Sequence, residues 1–132
     1  MNRHERHWAR GEAEMAVADE FEGLGLGARP WTVVVRFYAA LHCTTAYLRT
    51  KYPSFDPKRH EERAQLIRAT AELSVGKNRR FHAAYQRLKD MSEQVRYDPG
   101  FHAGSSELSN ARKDLDCVFK HLSRHYQKAQ RP

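Results

Sequence analysis

The 132-residue chain contains only two cysteines, five prolines and seven glycines. Two thiols cannot build the disulfide framework that staples small secreted domains. Cys43 and Cys117 lie far apart, each within a helical pattern, and are expected to be buried and reduced. Proline and glycine gather at a few points: "GLGLGARP" (23–30), "KYPSFDP" (51–57), "SVGKN" (74–78) and "YDPGFHAGSS" (97–106). Alternating ladders of Val, Ile and Thr are missing, which argues against a sheet. The longest apolar stretch, Trp31 to Leu48, is interrupted by Arg36 and His42, so no membrane span is expected. The charged start "MNRHERH" has no apolar segment behind it, which predicts no signal peptide and a cytoplasmic location.

Acid is also scarce. Sixteen Asp and Glu face 23 Lys and Arg, for a formal charge of +7 and a pI near 9.7. That balance favours anionic partners, nucleic acid above all, although positive charge also serves solubility alone.

What the chain has in quantity is helix formers, with alanine, leucine, arginine, glutamate and lysine dominant. A first helix is expected over 4–22, with Trp8, Met15, Ala18 and Phe21 on one stripe and Gly11 weakening it. A second, over 31–50, carries Val34, Phe37 or Tyr38, Leu41, Thr45 and Leu48. Its small residues Ala39, Ala40 and Ala46 allow a neighbour to come close. A shorter helix over 58–73 turns Leu66, Ile67 and Leu73 inward. A fourth, over 79–96, has the stripe Phe81, Ala84, Leu88, Met91 and Val95. The last, capped by Ser105 or Ser106 and running to about 128, has Leu108, Ala111, Leu115, Val118, Leu122 and Tyr126. The expected fold is all-α: one domain over 1–132, an up-and-down bundle of four long helices and one short one, with 127–132 a frayed tail.

The chemistry-bearing stretch is "RYDPGFH" (96–102). On a helical wheel Arg96 falls beside Tyr85, on the flank of the buried stripe. It is either an ordinary helix-ending arginine favoured by the dipole or a cation lining a groove with His102. Asp98 either begins an Asp-Pro-Gly turn or orients Arg96 or His102. His42 is a core histidine or a nucleotide-lining one. His60 and Arg63 share a helix face that either meets a phosphate or is simply solvated. Lys77, Arg79, Arg80, Arg87 and Lys89 cluster on the fourth helix and its approach. They would give sequence-blind phosphate contacts, or a solvated face offset by Asp90 and Glu93. His121 and His125, like His4 and His7, have chelating spacing but no third ligand, so neither a metal nor a cofactor is expected.

Two stretches together resemble the HEPN domain family (higher eukaryotes and prokaryotes nucleotide-binding). "WTVVVRFYAALHCTTAYL" is similar to the family's second helix, with Phe37-Tyr38, Ala39-Ala40, Leu41-His42 and Ala46-Tyr47-Leu48 in the matching places. "AYQRLKDMSEQVRYDP" is similar to its later helix. The resemblance implies a dimerising helical bundle tied to RNA or nucleotides. In one branch, metal-independent endoribonucleases of toxin–antitoxin or antiphage systems, an arginine and a histidine are separated by four to six residues. Arg96 and His102 are separated by five. Another branch is non-catalytic and partners nucleotidyltransferases. The resemblance therefore implies RNA or a nucleotide as ligand, an antitoxin or nucleotidyltransferase as partner, and a homodimer. Arg96, His102 and Asp98 become its candidate catalytic residues, and His42, His60, Arg63 and Tyr97 its candidate nucleotide lining.

Overall fold

In the computed structural model, which describes residues 1–25 and 29–130, the hydrophobic stripes become helices. In chain order these are α1 (Arg3–Gly23), α2 (Arg29–Lys51), α3 (His60–Ala69), α4 (Ala71–Ser74), a 3-10 turn (Gly76–Asn78), α5 (Arg79–Tyr97) and α6 (Ser105–Gln130). No strand occurs among the described residues, and none of their helices is long and apolar enough to cross a membrane.

Cross-helix contacts fix the topology. His7 meets His42, and Gly11 meets Ala39 and Cys43, so α1 and α2 are antiparallel. Arg80 meets Cys117 and Arg87 meets Asp114, so α5 and α6 are antiparallel as well. Arg36 reaches Leu108 and Tyr47 lies by His125, which makes α2 and α6 parallel. The expected up-and-down bundle is the observed one, with α2 at its centre and α3 and α4 bridging from α2 to α5.

The stripe of α6 is buried throughout, from Leu108 to Tyr126, and in α5 Phe81, Ala84 and Leu88 are fully enclosed. Each enclosed leucine, such as Leu88 or Leu122, contributes about 2 kcal/mol through removal of apolar surface from water. Trp8 stacks on Tyr126 at 4.2 Å and on Phe119 at 5.4 Å, closing α1 onto α6. Gly11 is a close-approach residue, not just a weak helix former. A Cβ there would stand 2.4 Å from Cys43 Sγ and 3.1 Å from the Ala39 carbonyl.

Four local expectations change. The short helix is broken at Thr70, whose backbone is extended (φ −97°, ψ 107°) and whose hydroxyl donates back to the Leu66 carbonyl at 2.6 Å. Neither serine caps α6; Gly104 stands before it, its carbonyl accepting from Leu108 N–H and its N–H donating to Glu107 Oε2 at 3.1 Å. The tail expected to fray from 127 stays helical to Gln130, and 131–132 lie outside the described residues. Cys43 is buried and Cys117 only half-buried; both are free thiols.

Candidate functional site

Arg96 ends α5 where the helix can no longer continue. Asp98 leaves the helical conformation and its carboxylate accepts the Gly100 N–H at 2.9 Å, pinning the Asp-Pro-Gly turn. Of the two readings of Asp98, the structure supports the turn. Arg96 is half-buried on the flank of the stripe, as the wheel places it. Its Nε donates to the Ser92 carbonyl at 3.3 Å, and one terminal nitrogen lies 3.4 Å from both the Tyr38 and Tyr97 hydroxyls. The guanidinium carbon stands 5.8 Å from the centre of the Tyr38 ring and 5.0 Å from that of Tyr97. Two aromatic faces thus hold the cation in place without neutralising it, an interaction of about 0.5–1 kcal/mol each at an exposed site. Tyr97 is 74 % exposed.

His102 is exposed on the loop between α5 and α6. Among the described residues no hydrogen bond or ion pair joins it to Arg96 or to Asp98. The three residues share a corner of the bundle; within one chain they are not linked.

The remaining predicted residues separate onto different faces. Lys77 and Arg80 turn into a groove against α6. Arg79 is exposed. Arg87 makes a paired contact with Asp114, at 2.8 and 3.1 Å, and that hydrogen bonding raises the guanidinium's pKa further. Lys89 approaches Glu93 at 3.9 Å and lines a crevice of about 40 Å³ between α2, α3 and α5. The five cations therefore do not form one patch, because successive positions on α5 point to different neighbours.

His60 and Arg63 do come together, and not as a solvated face. Arg63 is only 3 % exposed. It donates to Thr45 Oγ1 at 3.1 Å, to the Pro57 carbonyl, and to His60 Nδ1 at 3.1 Å. Burial lowers its pKa, and among the described residues no carboxylate pairs with it. With Lys89 these two line the 40 Å³ crevice, which is closed on its other side by Phe37, Leu41 and Tyr85. Burial pushes the Tyr85 hydroxyl up to about 12.

His42 belongs to a third place. It stacks on His7 across the α1–α2 contact, with Nδ1 atoms 3.5 Å apart. Burial, His7 and nearby arginines bring its pKa down to about 4, so the ring is neutral at physiological pH. Burial lowers His7 too, followed by the charges of Arg49 and Arg63. This is a histidine pair at the α1–α2 contact, one helical turn along α2 from Tyr38.

Of the histidines at chelating spacing, His121 is bonded to the Glu72 carbonyl at 2.6 Å and His4 to the Tyr126 hydroxyl at 2.9 Å. Among the described residues no three His, Cys, Asp or Glu side chains converge as a metal would need.

Sequence reasoning missed two buried guanidiniums of α2. Arg36, read only as an interruption of the apolar run, is 1 % exposed and paired with Glu22 at 2.6 Å. Arg49 donates to the Phe55 carbonyl at 2.9 Å. The available signal was their position within an otherwise apolar helix, where a cation needs a partner. No family model, curated protein or solved structure matches this chain.

Proposed function

We propose that the chain is a HEPN-like, metal-independent endoribonuclease that acts as a homodimer, cutting RNA to a 2',3'-cyclic phosphate and a 5'-hydroxyl. The observation that carries this reading is Arg96, a half-exposed cation against two tyrosine rings, with no carboxylate of the described residues to neutralise it. A guanidinium so held can take the charge that gathers on the phosphorus oxygens, its planar fork matching two of them. His102, exposed on the loop that follows α5, supplies an imidazole, a group that can take the proton of the 2'-hydroxyl or give one back. One chain offers one histidine. A two-fold dimer would add a second, so that one ring removes the proton and the other assists the leaving 5'-oxygen.

The test is incubation with RNA in EDTA, comparing the chain with Arg96→Ala and His102→Ala. Cleavage by the unaltered chain, reduced at least about 100-fold in each variant, is the expected result. Absence of cleavage, or cleavage that survives both substitutions, overturns the proposal. Sedimentation as a monomer at micromolar concentration would remove the composite site.

A second reading is a non-catalytic module of the same type that binds RNA, a nucleotide or a partner such as a nucleotidyltransferase. Its support is that Asp98 is engaged by the turn and that, among the described residues, no side chain orients His102. It predicts saturable, salt-dependent binding with intact RNA recovered afterwards.

A further inference from the structure

The end of the bundle opposite Arg96 carries a groove of about 880 Å³ between the start of α5 and the second half of α6. Lys77 and Arg80 stand on one side and Lys120, Arg124 and Lys128 on the other, with His121 and His125 between. Among the described residues no carboxylate lines it, and none of the five cations forms an ion pair. Elsewhere on the same two helices the pattern differs: Arg87 has Asp114 and Lys89 has Glu93.

One feature sets this concentration apart from ordinary helix chemistry. The start of α5 is the positive end of its dipole, where acids stabilise and cations destabilise. Yet α5 opens on Arg79 and Arg80 just after Lys77, and its first turn holds no acid. Cations placed there work against the helix and add to its positive end. On α6, Lys120, Arg124 and Lys128 recur every fourth residue, which puts them on one face, and no acid follows Asp116. The two rows run along opposite walls of one trough.

We infer that this groove is a second nucleic-acid surface, one that holds the phosphate backbone of RNA without reading its bases. The inference rests on the reading of the chain as an RNA-acting protein, though not on cleavage. The choice of backbone over base follows from what lines the trough. Phe81 is fully buried and presents no face for stacking, and the other lining groups are cations, imidazoles, Asn78, Gly76 and Cys117. Along α5 the sixteen helical steps from Arg80 to Arg96 span about 24 Å, so a strand held here extends past the groove before it meets the Arg96 corner.

The experiment uses the full chain and a short mixed-sequence RNA, with Arg96→Ala present so that binding is read without turnover. Five phosphate contacts predict a log–log salt slope of about −3.5 to −4.5. The double change Arg124→Glu and Lys128→Glu should weaken binding at least tenfold at low salt and flatten the slope by about 1.5 to 2. Unchanged affinity and slope in that variant overturn the inference, whatever Arg96→Ala does to cleavage. A second readout needs no groove variant. Cys117 lines the groove half-exposed, so saturating RNA should slow its modification by a thiol reagent severalfold. An unaltered rate under saturation counts against the site. Vesicles of phosphatidylserine and phosphatidylcholine form the last arm. If they slow Cys117 labelling and RNA does not, the partner is a membrane surface and the assignment to RNA is wrong.

Discussion

Where α1 ends and α2 begins, Arg36 has Glu22 at 2.6 Å and Asp19 at 3.7 Å, and Arg112 reaches the same Glu22 at 3.6 Å. Where α5 begins and α6 ends, Lys77, Arg80, Lys120, Arg124 and Lys128 share a trough lined by no acid of the described residues. Of the chain's sixteen acids, Asp19 and Glu22 near the end of α1 meet Arg36, and none follows Asp116 on α6. Charge is therefore sorted rather than merely in excess. At the first end it is consumed inside the fold; at the second it faces outward. Net charge alone would have described both ends alike.

The largest expected effect separates the two ends by stability. Arg36→Met should cost about 2–4 kcal/mol in urea unfolding, somewhat below a fully enclosed pair because Glu22 and Asp19 reach water. Arg124→Gln in the groove should stay within about 0.5 kcal/mol. A groove cation that costs more than 1 kcal/mol would mean that its charge is structural, and the contrast would fail.

Next in size is the contact that holds α1, with its acids, against α2. Gly11→Ala forces a methyl to within 2.4 Å of Cys43 Sγ, and overpacking of this kind costs about 1–3 kcal/mol. Alanine's better helix propensity returns about 1 kcal/mol of that. Adding Cys43→Ala should recover most of the loss, and a thermal-melt double-mutant cycle measures the coupling. Additive costs would show that the two residues do not meet.

An effect of similar size is in pH. His42 is depressed to about 4 in the folded chain, against about 6.5 when unfolded. Its stabilising contribution is complete above 6.5 and is lost as pH falls through that value towards 4, because the unfolded chain takes up the proton first. Allowing for water around the half-buried ring, this amounts to about 1–2 kcal/mol. His7, depressed beside it, acts in the same direction. His42→Gln should flatten the stability profile between pH 6.5 and 4; an unchanged slope would place the acid sensitivity elsewhere. Glu72 adds a loss at lower pH. Burial alone would raise it, but the Lys51 ammonium and the Tyr47 hydroxyl hold it down at about 2.

The fold was legible because α5 and α6 write their buried faces plainly. Every stripe residue from Leu108 to Tyr126 is enclosed, and a period of 3.6 carries that information locally. Arg96 on the flank was legible for the same reason. Contacts between helices distant in sequence were not. Nothing in the run from Lys77 to Lys89 tells that Arg87 finds Asp114 while Arg80 faces an acid-free wall 40 residues on. Likewise His60 and Arg63 read as a wet face, because a short helix does not announce that Thr45 and the Pro57 carbonyl will enclose the guanidinium. One long-range signal was present and unused: the absence of acid after Asp116 beside cations spaced by four.

The close seating of Gly11 on Cys43 has a consequence for how the molecule breathes. Backbone pressed against a thiol seals it more completely than side chains do, and burial pushes the Cys43 thiol up to about 12. No partial tilt of α1 frees such a group; the helix must lift away as one cooperative unit. Capture of Cys43 in the native chain is thus a clock for that excursion, and amide exchange along α1 should keep the same time.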